Sequence, residues 1–419
     1  MKKIWIHELE YAGETAAEKL ARVREKMQRS GVSSIDLNEE DDVAWLTNLR
    51  GSGFADRYTP SFTGKMRVEM ERAFLYTDLS LLTEEIRVHL TAAGIEAKPY
   101  EEAPGSIFDV KCYKTPSEIA HMKASHLRDG VIVTRFIRLL KERMAAGVHT
   151  DELDVVRILD GMRAEDPNYV GLSFPTIGGY GPNGAVIHYT ADEKSNTVLE
   201  PHGLLVLDSG GQYLDGTTDI TRTIALGPVN DEEKLHYTLV LQGMLRLMNT
   251  SFPADPEARR QLTLEHMGTK ADGREYRFGE YLDTIARKPL RDHGLDYNHG
   301  TGHGVGYLGR VHELPVRIPE ADFQPGLVMS DEPGVYLEGS HGVRIENLIL
   351  CRPAAEEGML GFEPLTAAPL EPDAVDVSIM TAEDLQMYND YQQQVWEKLS
   401  GLLEAEDREW LKHETRILG

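Results

Sequence analysis

Cysteine is nearly missing from this chain. Cys112 and Cys351 stand far apart in 419 residues, with no CxxC spacing, so the sequence offers neither a disulfide framework nor a thiolate metal site. A buried, reduced pair of thiols is expected instead. Long apolar runs are missing too. No stretch approaches the roughly 20 residues that a membrane-spanning helix needs. Met1-Lys2-Lys3 leads into Ile4-Trp5-Ile6-His7-Glu8-Leu9-Glu10, which is too charged for a signal-peptide core. A cytoplasmic protein without membrane contact is expected. Basic residues are in deficit, 44 Lys and Arg against 69 Asp and Glu, for a net charge of −25. Such a surface repels phosphate backbones, which argues against nucleic acid as a partner, and it suits recruitment of divalent cations. The chain also lacks internal repeats, a G-x-x-x-x-G-K-[ST] loop, an H-E-x-x-H helix and a G-x-S-x-G elbow. Solenoids, P-loop nucleotide chemistry, zincins and elbow-type serine hydrolases drop out accordingly.

What is present has the balance of a soluble globular protein, 41% hydrophobic and 27% charged, with length for two or three domains. Apolar residues at helical spacing predict a helix over 14–29, followed by a strand at 34–37 and a helical turn at 43–49. A second strand at 72–77 and an amphipathic helix at 82–93 complete a small α/β unit, which ends in Pro99 and the loop Glu101–Gly105. Thr115-Pro116-Ser117-Glu118 combines an N-cap, a proline at the first helical position and a capping-box glutamate. It predicts a helix from Pro116 to about Asp129, with a second helical stretch reaching Met144. Between Val170 and Leu350 short apolar runs alternate with glycine, the texture of a curved, mostly antiparallel sheet. After Pro372 the chain turns helical again, with Tyr388, Tyr391, Trp396 and Trp410 placed to dock a C-terminal extension. The resulting division is 1–110, 111–365 and 366–419.

Five middle segments carry chemistry. Leu204-Leu205-Val206-Leu207-Asp208 is an apolar strand ending in a carboxylate, and Asp215-Gly216 favours a tight turn, so Asp208 and Asp219 are expected to face each other across a hairpin. An aspartate near a turn is often a solvated cap. Asp208, however, closes four aliphatics, and a buried carboxylate needs a cation or donors. Glu332, in Ser330-Asp331-Glu332-Pro333-Gly334, and Glu346, within the apolar run Gly342–Leu350, repeat that arrangement. Four carboxylates from two hairpins form a natural cage for two hard or borderline cations. His299-Gly300-Thr301-Gly302-His303-Gly304-Val305-Gly306 presents two histidines on a loop or bent strand, and one neutral imidazole would give a fifth ligand. His188, after Gly181-Pro182-Asn183-Gly184, and His312, in Val311-His312-Glu313, stand beside turns. Taken singly, either is more often a packed histidine than a catalyst.

The order Asp208, Asp219, His303, Glu332, Glu346 in these settings resembles the pita-bread metallopeptidases, among them methionine aminopeptidase, prolidase, aminopeptidase P and creatinase. Gly171-Leu172-Ser173-Phe174-Pro175-Thr176, Asp215-Gly216-Thr217-Thr218-Asp219 and the His299–Gly306 string narrow the likeness to the cytosolic-type Xaa-Pro aminopeptidases. The likeness extends to Ala44-Trp45-Leu46-Thr47-Asn48-Leu49-Arg50-Gly51 and to the tail Glu409–Thr415. The resemblance implies an α+β pita-bread catalytic domain, a curved antiparallel sheet covered by helices. It also implies a homodimer and two divalent ions, Mn first with Co or Zn as the other candidates. Asp208 and Asp219 would hold one ion, His303 and Glu332 the other, with Asp219 and Glu346 bridging. Glu332 would relay a proton, His188 and His312 would donate to the substrate, and His299 would line the pocket beyond the proline. The substrates would be peptides with proline second. Two alternatives stand beside this reading: a prolidase restricted to dipeptides, and a non-catalytic pita-bread module that binds peptides. Longer members of the family have two domains before the catalytic one, whereas this chain has room for one small one. His341, just ahead of the last ligand strand, is also unusual.

Overall fold

The computed structural model describes residues 2–100 and 109–419, so the expected loop Glu101–Gly105 lies outside the described residues. In the first unit Thr15 and Glu18 close a capping box. The helix Ala16–Arg29 then turns Leu20, Val23 and Met27 into a core shared with Leu37, Met66, Val68 and Leu75. Its sheet runs Ser34–Leu37, Gly64–Glu69, Ala73–Thr77, Ile95–Pro99, antiparallel except for the last pair. Helices Glu40–Thr47 and Glu84–Ala92 complete it.

The capping box at Thr115 and Glu118 forms as its sequence requires. The helix it starts does not stop near Asp129. It runs unbroken over Pro116–Ala145. Gly130 looks like an interruption locally, yet a Cβ there would collide with the Ala367 carbonyl oxygen. Glycine therefore serves close packing of the returning chain against this helix rather than a break.

The middle unit is built on antiparallel ladders. Ile220–Ala225, Leu204–Ser209 and Ile177–Tyr180 form one sheet; Phe252–Pro253, Met359–Pro364, Asn347–Pro353, Val328–Asp331, His303–Gly304 and Glu313–Arg317 form another. Three helices, Asp231–Met248, Pro256–Met267 and Phe278–Arg291, follow the first group of strands in sequence, and of the second group only Phe252–Pro253 falls among them. The expected sheet texture between Val170 and Leu350 thus holds on both sides of a helical stretch that it overlooked. Tyr388 and Tyr391 of the helix Ala382–Leu399 are buried, which seats the C-terminal segment. Cys112 and Cys351 are both buried.

Arg222 fastens these parts together. Its buried guanidinium donates to the carbonyls of Glu346, Ala368 and Pro369, to Asn347 Oδ1 and to the Tyr391 hydroxyl. Each such charge-assisted bond contributes about 1.5–3 kcal/mol, and together they fix the strand of Asp208's partner against the segment that bears Glu346.

Candidate active site

The two hairpins supply their carboxylates differently from the symmetrical picture expected. In the first, Asp208 pairs with Thr221, and Asp219 lies one residue before the strand begins. In the second, Glu332 and Glu346 both fall in a break. Val328–Asp331 pairs with Asn347–Pro353 on one side of it and Gly334–Leu337 with His341–Arg344 on the other. Glu346 is therefore not a mid-strand residue. The break frees its N–H to donate to the Thr221 carbonyl (3.1 Å) and the Glu332 N–H to donate to the Thr301 carbonyl (2.9 Å). This cross-linking ties Glu346 to the first hairpin and Glu332 to the histidine segment. Gly302 lets the histidine segment come equally close, since a Cβ there would overlap the Ser330 carbonyl oxygen.

Asp219, His303 and Glu346 present ligand atoms that all lie within 4.8 Å of one another. His303 Nε2 stands 3.3 Å from Glu332 Oε1 and 3.5 Å from Asp219 Oδ2. Donors that share an ion at about 2.0–2.2 Å are separated by about this much. His303 Nδ1 lies 2.9 Å from the Gly304 carbonyl, which can only accept, so the proton sits on Nδ1 and the Nε2 lone pair faces the carboxylates. Burial, with His312 next, brings the His303 pKa down to about 3. Burial, followed by the charges of Asp208 and Glu332, pushes the Asp219 carboxyl well above the carboxylate range. Glu346 is pushed the same way by burial and by Asp219, and burial brings Glu332 up to about 7. Among the described residues, Asp208 Oδ1 and Glu346 Oε1 are buried without a hydrogen-bond partner. A nest of acids that suppress one another's ionisation around a bare imidazole lone pair lacks positive charge. Divalent cations fit it, and four carboxylates with one imidazole suit Mn, Co or Zn.

All eight residues singled out from the sequence line one cavity of about 630 Å³. His188 and His312 are exposed at its rim, while His299 is half-buried. His299 Nε2 lies 2.8 Å from the Tyr336 hydroxyl. Burial holds its pKa at about 4, so it is neutral. Phe174, Pro175, Ile177, Ile187 and Val316 add an apolar wall.

Several residues of the site escape sequence reasoning. Arg344 donates from Nη2 to Asp208 Oδ2 (2.8 Å) and from Nη1 to the Tyr336 hydroxyl (2.9 Å), linking the pocket histidine to the carboxylate cage. One signal was available. Arg344 precedes Glu346 by two residues in an otherwise apolar run, and an arginine there needs a buried partner. Thr221 donates its hydroxyl to Glu346 Oε2 at 2.8 Å. Glu152, fully buried, accepts from the Tyr180 N–H (2.8 Å), the Tyr189 hydroxyl (2.7 Å), the Thr197 N–H (2.9 Å) and Asn183 Nδ2 (3.0 Å). It thereby pins the segment that carries His188. Glu152→Gln puts an amide donor among donors, at about 1–3 kcal/mol of stability. Its turnover loss should shrink when His188 is already alanine, because both changes act through one side chain; additive losses in that double-mutant cycle would mark Glu152 as purely structural.

Residues 120–353 match the sequence profile of metallopeptidase family M24, residues 1–127 that of the creatinase/prolidase N-terminal domain, and residues 358–418 that of the C-terminal region of M24 peptidases. A probable Xaa-Pro aminopeptidase P of Aspergillus flavus is 33% identical over 99% of this chain and 69% of its own length. Its counterpart in Paracoccidioides brasiliensis is 34% identical, over 99% and 74%. The solved structure of X-prolyl aminopeptidase from Caenorhabditis elegans, described as a cytosolic enzyme with a di-nuclear active site, superposes with a TM-score of 0.89 at 27% identity. It covers all of this chain and 73% of that one. An Xaa-Pro dipeptidase from Bacillus anthracis shares the fold alone, with a TM-score of 0.57 at 24% identity over 85% of this chain and 99% of that one.

Proposed function

This chain belongs to metallopeptidase family M24, and from that premise we infer that it is a metal-dependent aminopeptidase hydrolysing the bond between an N-terminal residue and a penultimate proline. The observation that carries this reading is the acid-rich cage around the His303 lone pair, open to a cavity with an apolar wall. The amide to proline is tertiary and has no N–H, so such a wall suits a ring where other peptidases need an acceptor.

Asp208 and Asp219 would hold one ion, His303 and Glu332 the other, and Asp219 and Glu346 would bridge them. Manganese is the ion proposed, with cobalt and zinc next. When bound, the pair supplies Lewis acidity that acidifies a water and polarises the scissile carbonyl. Glu332 takes the proton of the attacking water and delivers it to the proline nitrogen as the C–N bond breaks. The products are then a free amino acid and a peptide with N-terminal proline. His188 and His312 donate N–H groups to the carbonyl oxygen as charge develops there. His299, held by Tyr336, lines the pocket beyond the proline. All five ligand residues are present, which disfavours the non-catalytic module. No helix among the described residues is long and apolar enough to cross a membrane; a cytoplasmic homodimer is proposed alongside.

Incubation of the Mn-loaded protein with Arg-Pro-Pro, Gly-Pro and Met-Ala-Ser, followed by liquid chromatography, tests the assignment. Arginine should be released from the tripeptide well ahead of any cleavage of Gly-Pro, and Met-Ala-Ser should stay intact. Preference for Gly-Pro would move the chain to the prolidase branch, and release of methionine to the methionine aminopeptidase branch.

A further inference from the structure

Two arginines line the cavity, and they are held in opposite ways. Arg344 is buried and bound to Asp208 and Tyr336. Arg317 is exposed and makes no ion pair and no side-chain hydrogen bond among the described residues. It ends the strand Glu313–Arg317, and its Cα lies opposite that of His303 in the antiparallel ladder. Directly opposed residues project to the same face with Cβ atoms about 4.5–5.5 Å apart, so Arg317 leaves the sheet on the side of a candidate metal ligand.

Among the described residues, the carboxylates of the cavity are all otherwise engaged. Of the five lining carboxylates, Asp208 is held by Arg344 and Glu313 by Lys114. Asp219, Glu332 and Glu346 cluster on His303. In a chain of net charge −25, a guanidinium with no internal partner at the edge of a metal cage is a local reversal of the field, and it attracts an anion from outside. A tripeptide bound for cleavage of its first bond carries its terminal carboxylate about 7 Å past the scissile carbon, within reach of an arginine rooted beside His303. A third-residue Asp or Glu side chain lies in the same region.

We propose that Arg317 is a carboxylate subsite, which selects substrates bearing a carboxylate at the third residue, as the C-terminus of a short peptide or as an acidic side chain. The proposal rests on the Xaa-Pro aminopeptidase reading and adds to it the substrate class.

The test compares kcat/KM for Ala-Pro-Ala, Ala-Pro-Ala-NH2 and Ala-Pro-Glu-NH2 at low ionic strength, with the Mn-loaded protein and its Arg317→Gln variant. The parent should prefer at least one carboxylate-bearing peptide over Ala-Pro-Ala-NH2 by about fivefold, the upper range of an exposed ion pair. The preference should appear mainly in KM and fade with added salt. Arg317→Gln should bring the ratio to about one. A preference for Ala-Pro-Ala alone assigns the subsite to the C-terminus, and one for Ala-Pro-Glu-NH2 assigns it to the side chain. Ratios that are the same in parent and variant overturn the proposal. If the parent cleaves none of the three peptides, the aminopeptidase reading itself fails. Metal content and melting, measured on the variant, verify that it is folded and loaded.

Discussion

Glu346→Gln is expected to lose bound metal and turnover together, with residual activity at the detection limit. Glu346 is 1% exposed, its Oε2 accepts the Thr221 hydroxyl, and its Oε1 has no hydrogen-bond partner among the described residues. As a bridging ligand it would give both ions a full negative charge. A glutamine offers one neutral acceptor and turns an NH2 group on the cage. The stability signature has an unusual sign. Without metal, Glu346 and Asp219 oppose each other's ionisation, so removing one charge should leave the metal-free melting temperature unchanged or raised. With metal the order reverses. An ion at a hundredfold its dissociation constant stabilises a protein by about 2.7 kcal/mol, and the variant should forfeit that gain. Elemental analysis, melting with and without Mn, and turnover on Arg-Pro-Pro read the three effects. A variant that keeps two ions and normal turnover would sink the two-metal centre.

The parts of this site that were legible in the sequence share a physical cause. Asp208 ends a run of four aliphatics, and the glycines around His303 forbid a regular helix, so each stands out against its own neighbours. What was hidden depends on partners far along the chain. The break at Glu346 exists because Thr221 and Thr301 supply the backbone acceptors, and no local pattern announces them. Gly130 reads as a helix interruption until Ala367 is seen lying against it. The helix Asp231–Met248 is buried on nearly every side, so it lacks the amphipathic period by which a helix is recognised. Its apolar residues resemble strand texture instead. Arg344 and Arg317 look alike in sequence. Only the ladder and the hydrogen bonds distinguish the one that is consumed internally from the one left over.

His188→Ala should separate catalysis from stability. The residue is exposed at the cavity rim, on a segment held in place by Glu152 and not by the imidazole itself. Surface substitutions of this kind shift stability by no more than about 0.5 kcal/mol, so metal content and melting temperature should match the parent. Turnover should not. If the His188 N–H reaches the carbonyl oxygen only as negative charge builds on it, its loss raises the barrier by about 3 kcal/mol, the scale of one oxyanion donor. That is roughly a hundredfold in kcat, with KM little changed, because a contact made only in the transition state does not hold the ground-state substrate. A packed histidine would behave in the opposite way, lowering the melting temperature and sparing the chemistry of whatever stays folded. His312 supplies the control, since it shares the rim. If both histidines serve one oxygen, the double variant should lose less than the product of the single losses. Unchanged kcat in His188→Ala, with metals bound and the fold intact, would remove this residue from the mechanism and leave His312 as the remaining donor.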